Sequence, residues 1–370
     1  MADERSDPLT AVRNLAAKAR RRAAALPHRG VRLARRAERF REQAEAIRVE
    51  WRLDREIAAL ARGRHRILAG PWLSEVGFEV LYWIPFLRWL ADRYRIDRER
   101  VVAISRGGVA DWYADVAADY VEIFDLVDPE TYSRRNTERR ADGESGGQKQ
   151  TSPGAFDRDL LAASRRTLGI GDAAVCHPAL MFRLFNEFWF GHRALDLVVS
   201  QTRHVPLAAS RPHGLDLPER YIAAKFYTGA ALPDTPENRE GLRDVVRAMA
   251  HQMPVVLLDT GLATDEHEDY LFRDVPHVIS LRARLTPRSN LGEQTSVIAG
   301  AQAFVGTCGS LAWLAPMLGV DTIAVYAEDR FLLSHILFAT HVYGRMGAAR
   351  FDPLDLRAVM QLDLATSCVR

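Results

Sequence analysis

The feature that most constrains the fold is a strand, a small-residue turn and a helix that follow one another at 304–315. The apolar run 304–306 leads into the turn Thr307-Cys308-Gly309-Ser310, and apolar residues at 311–315 and 322–326 predict a helix and a further strand. Such a turn leaves backbone N–H groups unpaired where the helix begins. Because these groups bind phosphate or diphosphate, the stretch predicts an α/β fold with a nucleotide-linked ligand.

Short apolar strands alternate with amphipathic helices in two stretches of the chain. In the first stretch a helix face runs from Val80 to Tyr94, and Pro85 predicts either a kink or a helix that starts just before it. In the second, Thr235 and Pro236 predict the cap and first residue of a helix. The predicted strands are 67–70, 101–105 and 120–127, then 221–227, 255–259, 277–281, 304–306 and 322–326. The pattern is typical of two Rossmann-like halves with parallel sheets.

Shifts in composition predict three parts of the chain. These parts are an amino-terminal helical extension at 1–66, a first Rossmann-like domain at 67–215 and a second at 216–370, with a proline-containing linker at 211–218. Residues 133–154 have no aromatic and no aliphatic side chain larger than alanine, so they are predicted to form a mobile loop. The aromatic residues at 177–199 are interpreted as a core helix rather than a ligand site.

Charge is unevenly distributed along the chain. The first 66 residues hold 18 basic and 9 acidic side chains, and the remaining residues hold 32 basic and 39 acidic ones. We interpret the basic segment 11–66 as a helical face that contacts anionic membrane or packs on the body of the protein or on a second subunit. Nucleic acid is not an expected partner, because the segment has hardly any aromatic residue to stack on bases.

The sequence also favours one compartment. No stretch is long and apolar enough to span a bilayer, and the first 30 residues do not resemble a signal peptide. The three cysteines are widely spaced, which argues against a disulfide framework and a zinc site. We therefore expect a cytoplasmic protein, with peripheral contact at the inner face of the membrane through 11–66.

Several motifs resemble those of GT-B glycosyltransferases. Asn290-Leu291-Gly292-Glu293-Gln294, with the later stretch 305–315, resembles the donor-domain signature of heptosyltransferase-like members. The stretch 70–79, with 225–227 and 233–238, is similar to a bacterial group of uncharacterised glycosyltransferase-like proteins. The likeness covers about 67–345 and implies two Rossmann-like domains facing a cleft, the first for acceptor and the second for a nucleotide-sugar donor. Thr307-Cys308-Gly309-Ser310 departs from the Asp-Ser/Thr-Gly of heptosyltransferases.

A carboxylate on the first domain is the expected catalytic base. Glu75 is the first choice because it follows the first strand, and ligands bind at the carboxyl ends of strands in open α/β sheets. Glu79 is the second choice. A carboxylate here would also be explained by a favourable charge at a helix N-terminus.

The leaving diphosphate needs hydrogen-bond donors and positive charge. The backbone N–H groups of Thr307, Cys308, Gly309 and Ser310 and two of their hydroxyls are the expected donors, and no metal ion or other cofactor is expected. Lys225, one of only three lysines, is an expected cation, with a strand-edge side chain as the alternative. Arg106, at the end of a strand, is a second cation or a surface arginine.

Three polar residues of the motif are candidates for contacting the donor sugar or ribose. They are Asn290, Glu293 and Gln294, although a capping box alone would explain Asn290 and Glu293. Cys308 lies where it would touch the ligand, and we expect it to fill space rather than to act as a nucleophile, because no histidine is adjacent in sequence.

These observations predict a metal-independent glycosyltransferase. It would move a sugar from a nucleoside diphosphate to a saccharide or lipid-linked hydroxyl acceptor, in cell-surface polysaccharide or glycolipid synthesis. Two alternatives remain at this point: a nucleotide-sugar epimerase of the same fold, and a non-catalytic nucleotide-sugar-binding or scaffold protein.

Overall fold

The computed structural model describes residues 52–142, 149–209, 215–262, 267–330 and 332–359. By its internal contacts the chain divides into two compact units, Met1–Ile57 and Ala58–Arg370. Most of the basic segment 11–66 lies outside the described residues, so its predicted membrane contact stays a prediction, as do the domain boundaries. Within the described ranges, no helix is long and apolar enough to cross a bilayer.

Four parallel strands form the first sheet. They are β1 Arg66–Ala69, β2 Val101–Ser105, β3 Asp119–Glu122 and β4 Ala173–Cys176. Their order is β3-β2-β1-β4, with Ile67 opposite Val101 and Arg66 opposite Ala173. Strand β3 is shorter than the sequence predicts, because the carboxylate of Glu122 accepts a hydrogen bond from the Phe124 amide and the chain turns there.

Six parallel strands form the second sheet. They are β5 Ile222–Lys225, β6 Val255–Leu257, β7 Val278–Ser280, β8 Ala303–Thr307, β9 Thr322–Tyr326 and β10 Phe351–Asp355. Their order is β10-β9-β8-β5-β6-β7, which places β5 and β8 at the centre. The predicted architecture of two parallel α/β sheets is confirmed.

Helices connect the strands and cover the sheets. They are α1 at 52–62; α2, which comprises Val76–Phe78, the π-helical Glu79–Trp83 and Ile84–Tyr94; α3 Ala110–Tyr113; α4 Pro129–Ala141; α5 Ala155–Leu168; α6 Ala179–Trp189; α7 Leu195–Val199; α8 Pro236–Gln252; α9 Asn290–Gly300; α10 Leu311–Leu314; and α11 Leu333–Met346. Helix α8 begins as predicted, because the Thr235 hydroxyl accepts a hydrogen bond from the Asn238 amide.

Each sheet has its own apolar core. Leu68, Val102 and Ile104 of the first sheet are buried against α5, and Ala224, Val255 and Val305 of the second against α8. Strands buried on both faces have continuous apolar sequences, which is why the sequence shows them clearly.

Pro85 lies in the first turn of the α-helical segment Ile84–Tyr94 of α2, so this segment begins just before the proline, which is one of the two predicted alternatives. The segments Val76–Phe78 and Glu79–Trp83 of α2, the second of them π-helical, precede it. Proline has no N–H to donate to the carbonyl four residues before it. That carbonyl, of Leu81, instead accepts a hydrogen bond of 3.0 Å from His204 Nε2.

Part of the predicted mobile loop 133–154 is a helix. Helix α4 extends to Ala141, and its Asn136 and Arg139 are buried. Gln150 is also fully buried, where its amide bonds Leu73, Pro71 and Asp157. The prediction of a loop is wrong here. These polar side chains can be buried because they are hydrogen-bonded, and a pattern of apolar residues does not reveal burial of this kind.

Helix α11 follows the second sheet in sequence but packs against helices of the first. Tyr82 of α2 stacks on Phe338 with ring centroids 5.0 Å apart, and Phe188 of α6 meets the same ring edge-on. Because of this crossing, side chains at the start of α11 reach the space between the two sheets.

Candidate functional site

A cavity of about 380 Å³ lies at the carboxyl ends of β1, β5 and β8. The residues that follow β1 form one wall with Ser74, Glu75, Val76 and Gly77, and the turn after β8 forms another with Cys308, Gly309 and Ser310. The segment after β5 closes a third side with Tyr227 and 229–231. The two places that the sequence predicts to face each other therefore do so.

The two sheets approach closely at Gly77. A Cβ atom added to this glycine would lie 2.7 Å from the Ser310 amide nitrogen and 2.9 Å from the Trp313 ring. Real Cβ atoms do not approach backbone this closely, so no other residue fits without displacing the turn. The start of α2 and the turn after β8 thus form one continuous surface inside the cavity.

The turn after β8 carries unpaired backbone donors. Among the described residues, the amides of Gly309 and Ser310 have no hydrogen-bond partner within the chain, whereas the Cys308 amide bonds the Val325 carbonyl. Ser310 has a φ of 42° and Gly309 a φ of 130°. A serine with positive φ is strained, and such residues cluster at functional sites. The helix that follows is only the four-residue α10, so the turn itself supplies the donors rather than a long helix.

Thr307 does not offer unpaired hydrogen-bond donors to the cavity. Its hydroxyl bridges to β5, accepting from the Tyr227 amide at 2.9 Å and lying 3.2 Å from the Tyr227 carbonyl oxygen. The side chain is buried and does not line the cavity. Cys308 lines the cavity, and burial raises the pKa of its thiol to about 12, which keeps the thiol protonated and fits the space-filling role expected for it.

Glu75 lines the same cavity as this turn. It is half-buried and precedes α2, but its carboxylate makes no capping hydrogen bond to that helix. Its loop is held rigidly, because Arg106 donates to the carbonyls of Trp72 and Ser74, and Asn136 and Arg139 both donate to that of Leu73. These hydrogen bonds fix the backbone that carries Glu75 at the cavity.

Two cationic side chains, Lys149 and Arg140, line the same cavity. The Lys149 ammonium lies over the rings of Trp189, Phe78 and Phe190 at 4.8, 5.3 and 5.6 Å. Burial lowers the pKa of Lys149, and the nearby Glu75 carboxylate opposes that effect. Cation–π contacts hold the ammonium in place at the cavity wall.

Aromatic residues form the remaining wall. Phe182 and Phe185 of α6 are buried in the core, as the sequence predicts, but Trp189 and Phe190 line the cavity. Phe190 is 62% exposed, which is unusual for a core residue. The aromatic segment therefore contributes to both the core and the site, with its carboxyl-terminal end serving the site.

Lys225 and Arg106 do not line the cavity. Lys225 donates to the Leu258 carbonyl at 2.8 Å and pairs with Asp269 at 3.0 Å, with 13% of its side chain exposed. Arg106 is buried and supports the loop that carries Glu75. Their positions do not support the phosphate-binding roles expected for them, because the protein itself supplies partners for both charges.

Asn290, Glu293 and Gln294 lie at the start of α9, away from the cavity. The Gly292 amide there donates to the Gly107 carbonyl at 2.9 Å, so the loop after β2 occupies this helix end. Ser289, not Asn290, is the cap residue, and its hydroxyl donates to Glu293. These contacts connect the loop after β2 to the start of α9. They do not support the contacts with a nucleotide-sugar donor that the motif predicts.

Glu79, the second candidate base, is fully buried and does not line the cavity. Its Oε1 accepts hydrogen bonds from the Ser105 hydroxyl at 2.5 Å and the Tyr113 hydroxyl at 2.6 Å. Oε2 has no hydrogen-bond partner among the described residues. Burial raises the pKa of Glu79 to about 7, although the Arg106 charge and these two hydrogen bonds oppose the rise.

Sequence reasoning missed Lys149, Arg140 and His335, which all line the cavity. Lys149 lies in the stretch that the sequence predicts to be mobile, and His335 lies on the helix that crosses to the first sheet. Lysine is scarce in the sequence, and this scarcity indicates a role for Lys149 as much as for Lys225.

Comparison with known proteins gives structural similarity only. No protein-family model matches the chain, and no curated protein matches it. The structure is similar to a glycosyl transferase family 9 protein from Veillonella parvula, with 13% identity and a TM-score of 0.45 over 82% of this chain and 89% of that one.

Two further structures illustrate the range. E. coli heptosyltransferase WaaC, solved with ADP, is 14% identical with a TM-score of 0.37 over 81% of this chain and 99% of that one. A putative UDP-N-acetylglucosamine 2-epimerase from Listeria monocytogenes is 8% identical with a TM-score of 0.36 over 82% and 87%.

Proposed function

We propose that the protein is a metal-independent glycosyltransferase that moves a sugar from a nucleoside diphosphate to a hydroxyl acceptor. The observation that carries the proposal is the shared cavity, which is lined both by Glu75 and by Gly309 and Ser310 with their unpaired amides. Glycosyl transfer needs a base for the acceptor hydroxyl and donors for the departing diphosphate. Both kinds of group line this one cavity.

In the proposed reaction the diphosphate binds at the turn after β8. The Gly309 and Ser310 amides donate to its oxygens, and Lys149 and Arg140, which line the same cavity, supply positive charge. Glu75 takes the proton of the acceptor hydroxyl as that oxygen attacks the anomeric carbon and the bond to the diphosphate breaks. The aromatic wall of Trp189 and Phe190 excludes water and gives the sugar an apolar face to pack on.

We also propose a role in cell-surface polysaccharide or glycolipid synthesis, with a saccharide or lipid-linked acceptor. The exposed aromatic Phe190 at the cavity wall supports an acceptor with apolar surface. A cytoplasmic location with peripheral membrane contact through 11–66 accompanies this proposal, supported by the basic charge of that segment.

A panel of nucleotide sugars tests the function directly. A ligand that binds only the folded protein stabilises it, by about 2.7 kcal/mol at 100 times its Kd. We expect one nucleotide sugar to raise the melting temperature by a few degrees and to release nucleoside diphosphate only when an acceptor is present. Conversion of the nucleotide sugar to its isomer without acceptor would instead identify an epimerase, and binding without either reaction would identify a binding protein.

A pair of lysine variants tests the location of the diphosphate. Lys149→Met removes a cation from the cavity and is expected to weaken pyrophosphate binding about tenfold, because a hydrogen bond to a charged group contributes about 1.5 kcal/mol or more. Lys225→Met is the matched control. It should leave the Kd within about threefold while lowering the free energy of unfolding by about 3 kcal/mol, because it leaves Asp269 buried without its cation. Isothermal titration calorimetry and urea denaturation measure both effects. A Kd that rises only in Lys225→Met would move the diphosphate to β5.

A further inference from the structure

His335 and Tyr82 form a buried pair at the back of the cavity. His335, near the start of α11, lines the cavity and is 7% exposed. Its Nδ1 lies 2.6 Å from the hydroxyl of Tyr82, which belongs to the π-helical turn of α2 and is fully buried. The ring of His335 packs against Phe78 and Trp313 with centroids 5.1 and 5.7 Å away, so its orientation is fixed.

The surroundings of Tyr82 determine which nitrogen of His335 carries the proton. Phe338, Trp189 and Phe185 pack around the phenol ring, and none of them offers a hydrogen-bond acceptor in its side chain. Within the described part of the chain, His335 Nδ1 is the acceptor found for the hydroxyl proton, because the indole N–H of the neighbouring Trp189 can only donate. A buried hydroxyl needs an acceptor for its proton. Tyr82 therefore donates to Nδ1, and the imidazole proton is on Nε2.

The imidazole remains neutral in this position. Burial and, to a smaller extent, the nearby Lys149 charge together lower the pKa of His335 to about 3. Its Nε2 has no hydrogen-bond partner among the described residues. A neutral ring with Nε2–H is a hydrogen-bond donor that does not change its charge at physiological pH.

We propose that His335 is an uncharged hydrogen-bond donor to an oxygen of the bound diphosphate, and that Tyr82 is the positioning residue that fixes its tautomer. The assignment rests on the proposed function, because it places the diphosphate in this cavity. An anionic oxygen is the expected acceptor, since the Lys149 ammonium and the amides of Gly309 and Ser310 line the same space. A preorganised donor stabilises the charge that develops on the leaving group.

Nitrogen NMR of histidine-labelled protein tests the tautomer without any ligand. The His335 signals are identified by their loss in His335→Leu. We expect wild-type His335 to be neutral with its proton on Nε2, and Tyr82→Phe to show a mixture of both tautomers. A wild-type ring protonated on Nδ1 would overturn the proposal, as would a Tyr82→Phe spectrum identical to that of the wild type.

Pyrophosphate binding tests the donor itself. His335→Leu is expected to raise the Kd about tenfold, whereas His335→Gln, whose amide N–H replaces Nε2–H, should stay within about threefold of wild type. Equal affinities for wild type and His335→Leu would refute the donor role. Equal weakening by leucine and glutamine would also refute it, because it would indicate a packing effect.

These two measurements are independent of sugar transfer. If no nucleotide sugar is used but both results are as expected, the proposed function fails and the diphosphate site with its neutral donor stands. If transfer is observed while His335→Leu binds pyrophosphate like wild type, the proposed function stands and this assignment fails.

Discussion

Replacing Glu75 with glutamine is expected to slow sugar transfer by about 10²- to 10⁴-fold, the usual contribution of a general base. Glutamine preserves the size of the side chain but cannot accept the acceptor proton. Because Glu75 is not among the groups proposed to bind the diphosphate, which are the Gly309 and Ser310 amides, Lys149 and Arg140, donor affinity should change by no more than a few-fold. Initial rates with saturating donor, together with calorimetric titration of the donor, separate the two quantities.

The control for this variant is Glu187→Gln. Glu187 is an exposed carboxylate on α6, two residues from the cavity-lining Trp189, and does not itself line the cavity. It should retain the wild-type rate and affinity. If Glu75→Gln instead loses donor binding in proportion to its rate, Glu75 holds the donor and is not the base.

Much of the fold can be predicted because its signals are local. Strands such as Val101–Ser105, buried on both faces, appear as continuous apolar runs, and the Thr235 cap marks the start of α8 within one turn. The segment 133–154 could not be predicted in this way. Its helix presents Asn136 and Arg139 to the interior, where they bond the carbonyl of Leu73 more than sixty residues earlier in the chain.

The candidate site likewise has residues that local sequence signals identify and residues that only distant contacts explain. Glu75 and Ser310 could be identified because each follows a central parallel strand, and the ends of such strands converge. Lys225 and Arg106 also follow this rule, but whether a charge faces a ligand depends on its partners. Asp269 reaches Lys225 from 44 residues away, a contact that sequence spacing does not indicate.

The sequence does not predict His335 as a site residue, for a different cause. Its helix follows the second sheet in sequence, and only packing against α2 brings it to the cavity, beside Tyr82 at a separation of 253 residues. The π-helical turn that presents Tyr82 was not predicted either. It precedes Pro85, which has no N–H to donate to the Leu81 carbonyl, and that carbonyl accepts a hydrogen bond from His204 instead.

Glu79 is expected to make the protein less stable as the pH rises. Its folded-state pKa of about 7 exceeds the ordinary value of 4.5, mainly because of burial. Between these two values the folded carboxyl keeps a proton that the unfolded one has lost, so each pH unit lowers the free energy of unfolding by about 1.4 kcal/mol. Below about pH 4.5 the contribution is fully present, and above about pH 7 it is lost, a total change of about 3 kcal/mol.

Glu79→Gln should remove this pH dependence. The glutamine oxygen can still accept from Ser105 and Tyr113, and the amide carries no charge that burial would penalise. Urea denaturation at several values between pH 5 and pH 8 should show the stability of the wild type falling relative to the variant by about 2.5 kcal/mol across that range, mostly below pH 7. The exposed Glu130→Gln, as the control, should follow the wild type throughout. Parallel curves for wild type and Glu79→Gln would mean that Glu79 is already ionised in the folded protein at pH 5, stabilised by the nearby Arg106.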